Sequence, residues 1–414
     1  MSTNENIPNT NDVVVDEASR APKVLIDASV GRLDEVTREP GLILTKDQIK
    51  NIKHYEMVGL RLPVELQDVI TYLGYEKGAG DGLDAEHFQR TFKTVRNHAS
   101  TWNPLRVDLL GVGSKLKVFA GQMLVFGKGV EEIFADIKEG PLEQYNIKTL
   151  EDLRKVELEL GENFPGLELD AEDKETVKDF SFYLDRMFQE IEKRQTEANQ
   201  LKDRLDKFSF DLRNIVYSAV KLRLSAIDNN KLGADIKALN LVIERRAKDI
   251  DIKTEEYNKL VKDAIGSAAT LNIVGIGMSI YLGVEAENIR KARNKMRRDQ
   301  ARDINTMNTK DAILGRLNTV RLELQNLDMI IVDADMATRN LIHVWSTIAG
   351  YIDQSAESIQ KITNRFRLQR FVMEFRLVIQ PWSDIQNDAH LLLEVFKQAD
   401  DEFRVEYEQQ TQGV

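Results

Sequence analysis

Residues able to do chemistry are few in this chain, and none is spaced to do it. The five histidines, His54, His87, His98, His343 and His390, are scattered and leave little material for a metal site. There is no cysteine, which excludes a disulfide framework, Cys-ligated zinc, an iron–sulfur cluster and a thiol nucleophile. Gly121 to Gly127-Lys128-Gly129 looks superficially like a phosphate loop. It has five residues between its first glycines instead of four, and Gly129 stands where Ser or Thr would hold magnesium. Its apolar surroundings (Phe119, Met123, Leu124, Val125, Phe126) predict a packed helix with close backbone contacts instead. Gly111-Val112-Gly113 is too short for a dinucleotide signature, and no His-Glu-x-x-His, Gly-x-Ser-x-Gly or EF-hand pattern occurs. The acid pairs Glu131-Glu132 and Asp333 with Asp335 read as solvated helix positions. The sequence therefore predicts no catalytic residues, no metal, no cofactor and no enzyme activity.

Long helices must carry whatever function remains. Seven of the eight prolines lie at or before Pro165 and the last is Pro381, so residues 166–380 lack the strongest helix breaker. From Val177 the apolar positions step by three and four through Phe180, Leu184, Met187, Ile191, Arg194, Ala198, Leu201, Leu205, Phe208, Leu212, Ile215, Ala219, Leu222 and Ala226. Only Arg194 breaks that seam. A strand would need period two, so a sustained heptad means a coiled-coil-like helix, here 50 residues or ~75 Å long. A second seam runs Ile313, Leu317, Val320, Leu324, Leu327, Ile331, Ala334, Thr338, Leu341, Trp345, Ile348, Ile352. A shorter helix with the same step (Ile236, Leu239, Ile243, Ile250, Tyr257, Leu260) leads toward the centre, and another leads away from Glu285.

These patterns predict an all-α fold: an elongated helical bundle with a long antiparallel coiled-coil neck and a hydrophobic, membrane-interacting tip. Residues 1–40 read as a flexible N-terminal arm and 41–170 as helical tail-bundle segments. Residues 171–262 supply the long helices of tail and neck, and 263–303 the tip with a basic exit. Residues 304–380 read as the returning coiled-coil helix and 381–414 as a tail helix with Ile385, Leu392, Val395 and Phe396 on its apolar side.

One stretch does not fit a water-soluble rod. Ala264 to Val284 is 21 residues without a charge, thirteen of them apolar and four glycine. As one helix it spans ~31 Å, close to the hydrocarbon thickness of a bilayer; its glycines equally allow a hairpin of two short helices. Each glycine costs a soluble helix about 1 kcal/mol, while membrane helices use small residues for close approach. Gly275, Ser279 and Gly283 recur at i, i+4, i+8 as a helix-packing stripe. Ala264, Ile265, Ala269, Leu271, Ile273, Val274, Ile276, Met278, Ile280, Tyr281, Leu282 and Val284 supply apolar surface for lipid. Directly after comes a basic run of Arg290, Lys291, Arg293, Lys295, Arg297, Arg298 and Arg302, broken by Asp299. That window carries +6 in a chain of net charge −11, so the rest sums to −17. The run suits anionic headgroups at about 1 kcal/mol per cation, whereas the overall acidity argues against general nucleic-acid binding. A buried central helix, or a single-pass membrane protein with cytoplasmic coiled coils, would also accommodate the apolar segment. Its moderate hydrophobicity and its place between partner helices favour a tip on a soluble rod.

The chain resembles the A component of the alpha-xenorhabdolysin family of bacterial binary cytotoxins, relatives of the cytolysin A type of α-pore-forming toxin. The resemblance rests on Thr101–Gly121 (TWNPLRVDLLGVGSKLKVFAG), the proline-free helix pair, and the apolar segment Ala264–Val284 with its basic exit, in a layout covering roughly residues 40–410. It implies a soluble monomer that works with a separate B component and assembles on the target-cell lipid membrane into a ring-shaped hetero-oligomeric pore causing lysis. The polar, acidic start Met1–Arg20 lacks the apolar core of a secretory signal. Together with the resemblance this predicts secretion by another route, then residence at the host membrane. The rival reading is a coiled-coil scaffold or membrane-remodelling rod that forms no pore.

Overall fold

The computed structural model describes residues 10–32, 39–78, 81–136, 145–160, 168–227, 231–271 and 284–412. Among them the regular structure is helical, apart from a single antiparallel bridge between Glu168 and Asn364. The helices are α1 (Thr10–Ser29), α2 (Lys46–Leu60), α3 (Leu66–Leu73), α4 (Ala85–Ser100), α5 (Trp102–Asp136), α6 (Leu150–Leu160), α7 (Ala171–Asp211) and α8 (Tyr217–Ser225). They continue with α9 (Ala234–Leu271), α10 (Val284–Lys310), α11 (Ala312–Ile359), α12 (Arg365–Ile379) and α13 (Pro381–Gln412). Pro381 opens its helix, where a missing N–H costs nothing.

Two compact units share the chain. One comprises Met1–Ala28, Val112–Asn199 and Asn340–Leu391; the other comprises Ser29–Gly111, Gln200–Arg339 and Leu392–Val414.

The first unit buries the heptad positions Val177, Phe180, Leu184, Met187 and Ile191 of α7, as their spacing predicts. Phe119 of α5 stands edge-on to Trp345 and Trp382, with ring centroids 4.8 and 4.9 Å away, and the two indoles stack 11° from parallel. The stretch with the phosphate-loop look is interior helix here. A Cβ on Gly127 would lie 2.6 Å from Ile379, and one on Gly129 2.5 Å from the Tyr183 ring, so these glycines permit helix contact. Leu153 and Val156 of α6 cluster with Phe366 and Met373 of α12. Thr10–Ser29 forms a helix where the sequence reading expects a flexible arm. Its Val15, Ala18, Ala21 and Leu25 recur every three or four residues and are buried.

The second unit departs from the predicted seam at one point. Between α7 and α8 the helix passes through a π turn, Leu212–Val216, in which the Tyr217 N–H donates to the Leu212 carbonyl five residues back. The extra residue turns everything downstream by about 100°. Val216, Val220 and Leu224 are therefore buried, while Ile215 and Leu222, expected inside, are 48% and 58% exposed. The α11 segment of this unit is buried on nearly every side: Leu324, Leu327, Ile331 and Ala334 of the expected stripe, but also Asn318, Arg321, Gln325, Asn326 and Asp333. It is a central helix, not one strand of a two-stranded coil.

Candidate membrane-contact segment and the helices that carry it

α9 and α10 pack against each other within the second unit. Their pairing is antiparallel, because partner numbers fall on α10 as they rise on α9. Gln300 Nε2 donates to the Ile243 carbonyl at 2.9 Å, Arg293 Nε to Thr254 Oγ1 at 2.8 Å and Arg290 Nη2 to the Tyr257 hydroxyl at 2.5 Å. The uncharged segment joins these helices. Ala264, Ile265, Ala269 and Leu271 fall in the last turns of α9, and Val284 opens α10. Ile273, Val274, Ile276, Met278, Ile280, Tyr281 and Leu282, with the small residues Gly275, Ser279 and Gly283, lie outside the described residues.

The basic run does not present one face to solvent. Lys291, Lys295 and Arg298 are exposed, whereas Arg290 is buried and Arg293 is fully enclosed. Helical spacing explains this: 290, 293, 297 and 300 fall on the inner stripe of α10 and the others do not. Arg293 Nη2 donates to the Gln325 carbonyl of α11. Burial, and then the neighbouring Arg297, pull the Arg293 pKa down to about 9, and burial lowers that of Arg297 as well.

Asp333 is the second difference from the sequence reading, which makes it a solvated acid. It is fully buried. It accepts from the Tyr257 hydroxyl, from Gln48 Nε2 at 2.5 Å and from Arg290 Nη2 at 3.5 Å. Four helices (α2, α9, α10 and α11) thus meet at one carboxylate. The N-terminus of α2 positions Gln48 by a capping box: Gln48 N donates to Thr45 Oγ1 at 3.3 Å, and Thr45 N to Gln48 Oε1 at 3.0 Å. The network continues about two turns away, where Gln325 Nε2 donates to Asp251 Oδ1 at 2.6 Å and the Tyr217 hydroxyl to Asp251 Oδ2 at 2.9 Å. A polar cavity of about 160 Å³ beside it is lined by Thr45, Gln48, Arg290, Arg297, Asn326 and Asp333. His54 of α2 faces Glu323 of α11 at 3.2 Å, and that carboxylate raises the imidazole pKa.

Glu131, another of the acids read as solvated, pairs with Arg376 at 2.5 Å on the surface of the first unit. Among the described residues no cluster of His, Asp and Glu is grouped to hold a metal. The helical run Ala85–Ala135 has the length and apolar composition to cross a bilayer, a test that core helices of soluble proteins also pass.

No protein-family profile and no curated protein matches the chain. Solved structures do. The chain is similar to YaxA from Yersinia enterocolitica (25% identity, 87% of this chain and 99% of that one, TM-score 0.47). It is also similar to XaxA from Xenorhabdus nematophila (21% identity, 88% and 99%, TM-score 0.44). A third likeness is to SmhA of the tripartite α-pore-forming toxin Smh from Serratia marcescens (12% identity, 94% of each chain, TM-score 0.43).

Proposed function

We propose that this chain is one subunit of a two-component pore-forming cytotoxin, in which Ala264–Val284 enters the target membrane. The observation that carries the reading is a 21-residue uncharged segment joining two antiparallel helices that are tied to each other by hydrogen bonds from Arg290, Arg293 and Gln300. Burial of thirteen apolar side chains in lipid drives insertion, and the exposed Lys291, Lys295 and Arg298 draw the end of α10 toward anionic headgroups. The resemblance carried by Thr101–Gly121 and the order of elements supports a B component as partner and a hetero-oligomeric ring as product. It also supports secretion before action at the host membrane.

The test is release of dye from liposomes made of target-cell lipids, with the chain alone and with its partner. Ile276→Asp should abolish release while leaving far-UV helicity intact, because a carboxylate at mid-segment costs several kcal/mol in hydrocarbon. Normal release by that variant would remove the segment from the mechanism. Binding without leakage, given a verified partner, would replace the pore with a scaffold.

A further inference from the structure

The inner stripe of α10 is unlike the other seams. It runs Ala286, Arg290, Arg293, Arg297, Gln300, Ile304, Met307 in steps of four and three, and its four central positions are polar. The facing stripe of α9, Ile243, Ala247, Ile250, Thr254, Tyr257, Val261, is mostly apolar and buried. Three consecutive positions of this inner stripe are therefore arginines, Arg290 and Arg293 buried and Arg297 half-buried, yet among the described residues only Arg290 forms an ion pair with a buried carboxylate, Glu323 acting on Arg297 from farther away. Arg293 is held by neutral acceptors, Thr254 Oγ1 and the Gln325 carbonyl. Arg293 Nη1 and Arg297 Nε are buried and find no hydrogen-bond partner among the described residues. Buried charges with such partial compensation hold a helix less firmly than apolar side chains of the same size. A guanidinium regains strong hydrogen bonds when offered phosphate oxygens. α10 also begins at Val284, the last residue of the uncharged segment, which places Arg290 less than two turns from it.

We propose that the polar stretch of α10 is a release latch: parting from α9 and α11 turns Arg290, Arg293 and Arg297 from core residues into ligands for the phosphates of anionic lipid. The latch keeps the soluble state in one register through Asp333, Tyr257 and Thr254. Its opening adds three cations to the Lys291, Lys295 and Arg298 already exposed, so attachment strengthens only after the helix has moved. The choice of ligand rests on the membrane reading above; the latch rests on the packing alone.

The test compares the full-length chain with an Arg290→Met/Arg293→Met/Arg297→Met/Tyr257→Phe/Asp333→Leu variant, in which no buried carboxylate is left without its cation, first in buffer and then on phosphatidylcholine vesicles containing phosphatidylserine. In buffer the variant should melt higher, and hydrogen exchange across Val284–Lys310 should slow relative to wild type. On vesicles, loss of three cations should weaken partition roughly a hundredfold, at about a factor of five each, and α10 should stay protected. Lys291→Gln/Lys295→Gln/Arg298→Gln should leave exchange in buffer unchanged and slow association with vesicles. If the Met variant does not fold, the swap Arg290→Met/Tyr257→Phe/Asp333→Leu, which removes both sides of one contact, is measured in the same way. A variant that melts lower and exchanges faster would overturn the latch, since the arginines would then be ordinary supports. Unchanged partition onto phosphatidylserine would overturn the masked ligands. If wild type bound no vesicle, the lipid half of the proposal would fall with the pore reading, while exchange in buffer would still decide the latch by itself.

Discussion

Removing the Asp333 carboxylate is the sharpest test of the packing around α10. Asp333→Ala leaves the Arg290 guanidinium, the Tyr257 hydroxyl and the Gln48 amide without their common acceptor, in a site closed to solvent. Breaking a buried charged contact from one side costs about 3–5 kcal/mol. Asp333→Asn keeps one acceptor oxygen but turns an NH2 toward donors, for about 1–3 kcal/mol. In a folding unit of this size each kcal/mol lowers the melting temperature by roughly 2–4 °C. The Ala variant should then melt ~6–20 °C below wild type and the Asn variant ~2–12 °C below. Differential scanning calorimetry resolves that, and hydrogen exchange in α2, α9, α10 and α11 localises it. Because Gln48 also closes the α2 capping box, the start of α2 should lose protection along with α10. An Ala variant within ~1 kcal/mol of wild type would mean that the carboxylate is not the hub described, and the reasoning from buried charge would fail.

Two further outcomes follow from separate places in the fold. Phe119→Ala empties the ring between Trp345 and Trp382 and should cost about 3–5 kcal/mol. The near-ultraviolet signal of the stacked indoles should collapse while Trp102, in the other unit, keeps its emission; unchanged near-ultraviolet dichroism would contradict the stack. The second concerns pH. His98 is held neutral by burial, accepting from the Tyr55 hydroxyl at 2.7 Å and donating to the Phe208 carbonyl at 3.1 Å. Its folded pKa is lowered, so its contribution is complete above the ordinary value of 6.5 and is lost as pH falls below it. His54, raised by Glu323, contributes fully below 6.5 and loses that contribution as pH rises through its folded value. Melting temperature between about pH 5 and 8 should lose its acid-side fall in His98→Gln and its alkaline-side fall in His54→Gln; an unaltered acid limb in His98→Gln would refute the assignment.

Much of the fold is legible in the sequence because period and punctuation are physical signals. The α7 seam from Val177 to Leu212 is buried at every position but Arg194, since a sustained 3–4 step turns one stripe of the helix inward. The same rule fails past Leu212, where a π turn inserts a residue without changing composition, and no glycine or proline marks the spot. Asp333 and the arginines were hidden for another reason. Residue type alone assigns a charge to solvent, and burial of a charge depends on partners from three other helices that are distant in sequence. A signal did exist: Ala286, Arg290, Arg293, Arg297, Gln300, Ile304 and Met307 keep heptad spacing through polar residues, and a seam identified by spacing before polarity would have turned the arginines inward. α1 is hard to read because the first three positions of its inner stripe, Val15, Ala18 and Ala21, are small and stand out little against a polar background.

The π turn at Leu212–Val216 also gives the second unit slack. A helix holding one residue more than its length requires can pass that surplus along, turn by turn, without breaking. The stretch it passes over shifts by ~1.5 Å and rotates by ~100°. Leu222, now facing water, and Leu224, now inside, would exchange surroundings under such a shift. A long helix that must change neighbours without unfolding has, at these five residues, the means to do so.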